Sequence, residues 1–198
     1  MIINEHVLLS HGADIFEYKR GECIFFEGSV PKYYYQIIKG VVKLTSLNKD
    51  GREFVHGFPF EGHCFGESYL FTDKNYAISA FAESKCHVIR IAKDAVFKIY
   101  SEYPDTLWNV VKYSADRLHF RYIISSFLSI GDPSSKIEIL FKYLKTYFHG
   151  EADSLFVIPY TRKQIANLTG LRLETVVRVI KRMEASEQLQ IINKKIYF

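Results

Sequence analysis

A chain of 198 residues, 48% of them hydrophobic, is long enough to bury a good core and to form one large or two small domains. Its net charge of +4 is compatible with a nucleic-acid partner without demanding one. No apolar run is long enough to span a bilayer or follows a charged start as an export signal would, and Cys23, Cys64 and Cys86 fit neither a disulfide framework nor a zinc site, so a cytoplasmic protein with reduced thiols is expected.

The first predicted elements are glycine-punctuated short strands between about residues 15 and 92: IFEYKRG, ECIFFEG, YYYQIIKG, VVKLTSL, EFVHGFPF, AISAFAES and CHVIRIA. Short apolar or alternating segments with turn residues every ~8 to 12 positions are the pattern of an antiparallel sandwich or barrel. Asn48-Lys49-Asp50-Gly51 predicts a hairpin loop between two of them. Glycines 21, 28, 40, 51, 62 and 66 read as turn residues, and no phosphate-loop spacing links them.

After Asp94 the spacing becomes helical. Pro104 and Asp105 open a helix that runs to about Ser129, with Leu107, Val111, Ser114, Leu118, Arg121, Ser125 and Leu128 in a heptad register. About 24 residues make a helix of about 36 Å, too long for one small barrel to cover, which points to pairing with its copy in a second subunit. Packing on its own barrel is the other reading, since Ser114, Arg121 and Ser125 interrupt the seam.

Gly131-Asp132-Pro133-Ser134-Ser135 reads as a hinge and a new helix start, dividing the chain into domains 1–130 and 131–198. A helix over 136–148, a polar loop over 149–154 and a short strand LFVIP follow. Two short helices then join at Gly170, and LQIINKKIYF closes the chain as a hairpin turned at Asn193-Lys194. This order is that of a winged helix-turn-helix.

The two-helix segment TRKQIANLTGLRLETVVRVIKRM carries the chemistry. Thr161 and Gln164 form a capping box for the first helix. In the second, Leu173, Val176, Ile180 and Met183 form a packing stripe, while Glu174, Val177, Arg178 and Lys181 form another that is free to touch a partner. Glutamate accepts a hydrogen bond from cytosine N4, and arginine one turn later donates a bidentate pair to guanine O6 and N7, so the two can read a G·C pair and its neighbour in the major groove. Arg162, Lys163, Arg172, Arg178, Lys181, Arg182, Lys194 and Lys195 crowd the same end of the chain.

With GECIFFEG, YYYQIIKGVVKL and FGESYLF in the barrel and TRKQIANLTG and ETVVRVIKRME in the reader, the chain resembles the Crp/Fnr family of bacterial transcription regulators over nearly its whole length. The resemblance implies an α+β fold. It comprises an antiparallel β-roll of the double-stranded β-helix or jelly-roll type, a dimerisation helix over about 104–129, and a C-terminal winged helix-turn-helix. It implies a homodimer acting on a palindromic site, with double-stranded DNA as partner and RNA polymerase as a further one if the protein is an activator. Carried onto this sequence, it makes Thr161, Arg162, Gln164, Arg172, Leu173, Glu174, Thr175, Val177, Arg178 and Lys181 the candidate DNA-contacting residues. Gly66, Glu67, Tyr76, Ala77, Arg121 and Tyr122 become the positions of the effector pocket.

Departures from the family pattern narrow the function. Members that bind cAMP hold its phosphate with an Arg-Ser pair; the register here puts Tyr76 and Ala77 there, and neither replaces a guanidinium. Where those members touch the base with Thr-Ser, this chain has Arg121 and Tyr122. cAMP is therefore not expected to bind. Arg121 is left with three readings: it closes the pocket by pairing with Glu67 or Tyr76, it serves another anionic effector, or it is exposed or interchain with no ligand role.

Control by another cyclic nucleotide or by haem is the alternative function. Iron-sulfur sensing would need clustered cysteines where only Cys23 stands, and His6, His11, His56, His63, His87 and His119 are isolated as haem ligands. A cupin-type enzyme on the same barrel would need His-x-His, which is absent from the barrel, so no enzyme activity, cofactor or metal is expected. In the reader, Arg172 stands where a small capping hydroxyl is usual. The lost cap costs about 1 kcal/mol, and a phosphate contact would offset it, which makes Arg172 a candidate backbone clamp. Leu173 replaces an arginine that some members use for an extra guanine, so the outer bases of the half-site should differ.

Overall fold

The structure, a computed structural model, describes residues 1–47, 49, 53–127, 129–149 and 154–198. Two compact units divide the chain, Met1–Leu118 and His119–Phe198.

The first unit opens with a helix that the spacing did not announce, α1 (Glu5–Ser10), capped by Asn4, whose side chain accepts from the His6 amide at 2.9 Å. Eight strands follow: β1 (Asp14–Tyr18), β2 (Cys23–Phe25), β3 (Tyr33–Lys39), β4 (Val42–Leu47), β5 (Glu53–Gly57), β6 (Cys64–Phe65), β7 (Ser79–Ala82) and β8 (Cys86–Ala92). They form two antiparallel sheets, β1-β8-β3-β6 and β2-β7-β4-β5. Phe25, Tyr35, Ile37, Leu44, Phe65, Ala80 and Val88 fill the space between them. The outer face of the first sheet is covered as well: Tyr34, Ile89 and Ile91 pack with Leu8 of α1, with Val96 and Ile99 of α2 (Lys93–Glu102), and with Val110 and Tyr113 of α3 (Pro104–Ser126). Burial on both faces is why YYYQIIK and CHVIRIA read as nearly continuous apolar runs. The buried Gln36 ties the chain start to β3, accepting from the Ile3 amide at 2.9 Å and donating to the Ile3 carbonyl at 2.8 Å.

Glycines 21, 28, 40, 62 and 66 all have positive φ, as turns require. At Gly40, with φ +100°, a Cβ would lie 2.4 Å from the Lys85 carbonyl oxygen, so only glycine fits. The expected Asn48-Lys49-Asp50-Gly51 turn, Lys49 apart, lies outside the described residues, as does Leu128 of the heptad.

Helix α3 starts at Pro104 as its sequence predicts and ends at Ser126, three residues short of expectation. Its register differs from the predicted seam. Leu107 packs against the roll with Val110 and Tyr113, and Ser114 hydrogen-bonds to Glu67. Trp108, Val111, Leu118 and Tyr122 are exposed by 69, 46, 52 and 65%.

In the second unit, α4 (Pro133–His149) begins three residues before the predicted 136. Asp132 stands just before it, and its carboxylate accepts from the Ser135 amide and hydroxyl, both at 2.8 Å, which holds its pKa below the ordinary value. The polar loop lies largely outside the described residues. Helices α5 (Arg162–Thr169) and α6 (Leu173–Ala185) follow, then β9 (Gln190–Ile192) and β10 (Lys195–Tyr197). Asn193 and Lys194 turn the hairpin with φ of 49° and 66°. The LFVIP segment, expected as a short strand, makes a single bridge to β10, with Phe156 and Phe198 exchanging backbone bonds at 2.9 Å and Val157 bridging to Tyr197. The fold is the expected α+β one: roll, long helix and winged helix-turn-helix.

Candidate nucleic-acid interface and roll pocket

The reader is built by local chemistry. Thr161 Oγ1 accepts from the Gln164 amide at 3.3 Å, and Gln164 Oε1 accepts from the Thr161 amide at 2.8 Å, closing the predicted capping box on α5. Gly170 ends the helix with φ 68°. Arg172 occupies the N-cap of α6 and makes no side-chain capping bond.

Val176, Val179, Ile180 and Met183 form the buried side of α6. Leu173, expected on that stripe, is 42% exposed instead; it stands in the first turn, ahead of the covered length, and Val179 packs in its stead. Glu174, Arg178 and Lys181 are exposed, and Thr175 and Val177 half-buried. Arg162 donates to the Lys194 carbonyl at 3.2 Å, joining α5 to the wing. Gln164 is only 9% exposed and its carbonyl is spent on the cap, so its work is to start the helix. Arg182 is bonded to Ser134 Oγ and fixes α6 on the start of α4.

In the roll, Gly66 has φ 73°, and a Cβ there would meet the rings of Phe25 and Tyr76 at 3.2 Å. The next residue, Glu67, opens a 3-10 helix (Glu67–Phe71) and is buried. Arg117 Nη1 donates to its two carboxylate oxygens at 2.8 and 2.9 Å, and Ser114 Oγ to Oε1 at 3.1 Å. Burial, the largest single influence, would lower the Arg117 pKa, but the charge and hydrogen bond of Glu67 together with Tyr113 and Cys64 outweigh it and hold the guanidinium above the ordinary arginine value. His63 rests against Tyr113 at 5.1 Å between ring centroids; burial first, then the Arg117 charge, pulls its pKa down to about 4, so it is neutral at pH 7.

Tyr76 is 3% exposed and lies flat on Phe25, with ring centroids 3.9 Å apart and planes 12° apart. Tyr69 meets it edge-on at 5.1 Å, and Tyr35 and Phe65 extend the aromatic group. The Tyr76 hydroxyl has no hydrogen-bond partner among the described residues, and burial raises its pKa well beyond the usual range.

The cyclic nucleotide-binding domain family matches residues 15–103, which are the roll and α2. The cAMP-activated global transcriptional regulator CRP of Pasteurella multocida is 27% identical over 179 residues, covering 89% of this chain and 85% of the relative. The transcriptional activator protein Anr of Pseudomonas protegens is 24% identical over 90% of this chain and 74% of its own. Among solved structures, the c-di-GMP-responsive global regulator CLP of Xanthomonas campestris superposes with a TM-score of 0.71 at 22% identity, over 96% of this chain and 95% of that one.

This chain's relatives over nearly its whole length are transcription regulators of the Crp/Fnr kind. It is a DNA-binding transcription regulator.

Of the pocket positions that the Crp/Fnr resemblance supplies, Gly66, Glu67 and Tyr76 lie together in the roll. Ala77 is exposed at its edge, its amide 3.3 Å from the Tyr69 hydroxyl. Arg121 and Tyr122 belong to the second unit. The arginine that pairs with Glu67 is Arg117, one turn before Arg121, for which pairing with Glu67 is one of three readings, and with Ser114 it satisfies both carboxylate oxygens. Ser114 and Arg117 were missed as site residues, though the 3-4 spacing of Val110, Tyr113 and Arg117 marks them as one helix face.

No helix among the described residues is long and apolar enough to cross a membrane.

Proposed function

We propose that this regulator acts as a homodimer on a palindromic site, with the two α6 helices reading inverted half-sites about one DNA turn apart, and that cAMP does not control it. The observation that carries the reading is the division of α6: Val176, Val179, Ile180 and Met183 are buried, and Glu174, Arg178 and Lys181 stand in solvent on the other side. Glu174 and Arg178 read a G·C core, Arg172 clamps a phosphate, and Lys181 adds charge along the backbone. Domain 131–198 is the reader, and 1–130 with α3 is the sensing and pairing part. RNA polymerase is the further partner if the protein activates.

Against cAMP stands the filling of the roll, where Tyr76, at one of the two phosphate-binding positions, stacks on Phe25. A different effector is the alternative reading, favoured by the unpartnered, buried Tyr76 hydroxyl, which a ligand atom could satisfy.

Selection of bound sequences from random DNA, followed by titration of Arg178→Ala, tests the reading. The wild type should select an inverted repeat with a G·C core. The variant should bind it at least about tenfold more weakly and lose preference at the guanine. Equal affinity and preference in the variant would reject the assignment.

A further inference from the structure

We infer that Arg90 anchors a carboxylate-binding site in the roll, fitted to a small organic acid and separate from the positions that the Crp/Fnr resemblance assigns to a cyclic phosphate. Those positions, Tyr76 and Ala77, lead into β7 of one sheet, whereas Arg90 lies on β8 of the other. It shares the inner face of its sheet with Val88, two residues before it. Its direct partners across the ladder are Tyr35 of β3 and Asp14 of β1. Phe16 pairs with Val88 and Tyr33 with Ala92, so their rings stand diagonally from Arg90, one on each flanking strand, with centroids 3.9 and 4.3 Å from its Cζ.

Stacking of this kind holds a guanidinium by its faces and leaves its N–H edge to bond. That edge is unused. Among the described residues Arg90 makes no hydrogen bond and no ion pair, and Asp14 opposite it stays exposed and unbridged, whereas Arg117 spends its edge on Glu67. A half-buried guanidinium carries donors alone, so what completes it is an acceptor.

Two phenols add to the donors. The hydroxyls of Tyr18 and Tyr35 have no hydrogen-bond partner among the described residues. Burial raises the pKa of both, Tyr35 to about 12, so they keep their protons at pH 7; the Arg90 charge acts on each in the other direction, which places both within its reach. The neighbouring charges select the anion. Asp14 faces Arg90 and Glu22 acts on Tyr18, so a doubly charged phosphate is repelled where a single carboxylate is not, and the planar fork of arginine matches a carboxylate with two parallel bonds. Tyr35 also meets Phe25 at 5.6 Å between centroids, and Phe25 stacks on Tyr76, so an acid held here bears on the aromatic group that fills the roll.

Titration of the full chain with propionate and benzoate, at ionic strength held constant with chloride, tests the site by nitrogen-15 NMR. The Arg90 Nε–H signal and the backbone amides of β1, β3 and β8 should shift together and saturate, with a Kd on the order of millimolar. Arg90→Lys keeps the charge and loses the fork, and should bind at least about tenfold more weakly; Tyr18→Phe removes one donor and should bind about threefold more weakly. No saturable shift in the wild type, or equal affinity in Arg90→Lys, would overturn the inference. Tighter binding of inorganic phosphate than of either acid would overturn the choice of anion, and tighter binding of an acidic peptide would make the surface a protein contact and overturn the small-acid site. The reading of α6 stands or falls separately, on operator selection.

Discussion

Glu67 shows what a buried charge requires of its neighbours. Its carboxylate is buried and both oxygens are occupied by Arg117, with Ser114 adding a third donor. A buried charge is tolerated only with its partner present, so removing the partner costs more than the pair itself contributes. Arg117→Met should destabilise the protein by about 3 kcal/mol, the low end for a buried pair because the arginine keeps 30% of its side chain in water. Glu67→Gln combined with Arg117→Met should recover much of that loss, since no charge is then stranded. Urea unfolding of the two variants measures this. A double variant less stable than Arg117→Met alone would mean that the carboxylate is held by something other than Arg117.

At the scale of elements, α3 carries two apolar faces. Val110 and Tyr113 close the roll, while Trp108, Val111 and Leu118 stand exposed at coiled-coil spacing, with Ala115 and Tyr122 in step. A single helix does not leave so much apolar surface to water without a partner, and its copy is the partner proposed above. Leu118→Glu should turn the protein monomeric in sedimentation at micromolar concentration while its circular dichroism stays unchanged. A dimer that survives would move the interface elsewhere. What the sequence reveals about these elements follows from range. The α5 capping box, the Gly170 stop and the Asn193-Lys194 turn are set by residues within four positions of one another, and their spacing alone placed them. Strand β6 is two residues long and exists through pairing with Tyr35 and Gln36, so no local pattern announces it. The choice of Arg117 over Arg121 is a matter of one helical turn, about 5.4 Å along the axis. It depends on where α3 leaves the α2 corner at Tyr103, which spacing within the helix does not contain. The stack of Phe25 on Tyr76 joins residues far apart in the chain; the family resemblance implies a missing cation there, but not that aromatic rings take the space.

For the whole molecule the question is whether a DNA reader can be governed by a roll built this way. A ligand shifts an equilibrium only by its difference in affinity between two states, and a ligand that binds neither shifts nothing. A cyclic phosphate entering this roll would have to displace the Phe25–Tyr76 stack, would meet Tyr76 and Ala77 where a guanidinium and a hydroxyl are needed, and would find Glu67 already bonded to Arg117. Each of these raises the cost of burying an anion without supplying a donor. The purified protein should therefore bind its selected operator without any addition, and millimolar cAMP should produce neither binding heat in calorimetry nor a change in operator affinity. Phe25→Ala should not restore cAMP binding, because opening space supplies no cation; Tyr76→Arg with Ala77→Ser, which returns both phosphate ligands, should do so only if Glu67 can leave Arg117. A tenfold gain in operator affinity on adding cAMP to the wild type would show that the roll opens in a way its aromatic filling does not suggest, and the regulator would then be a cAMP switch after all.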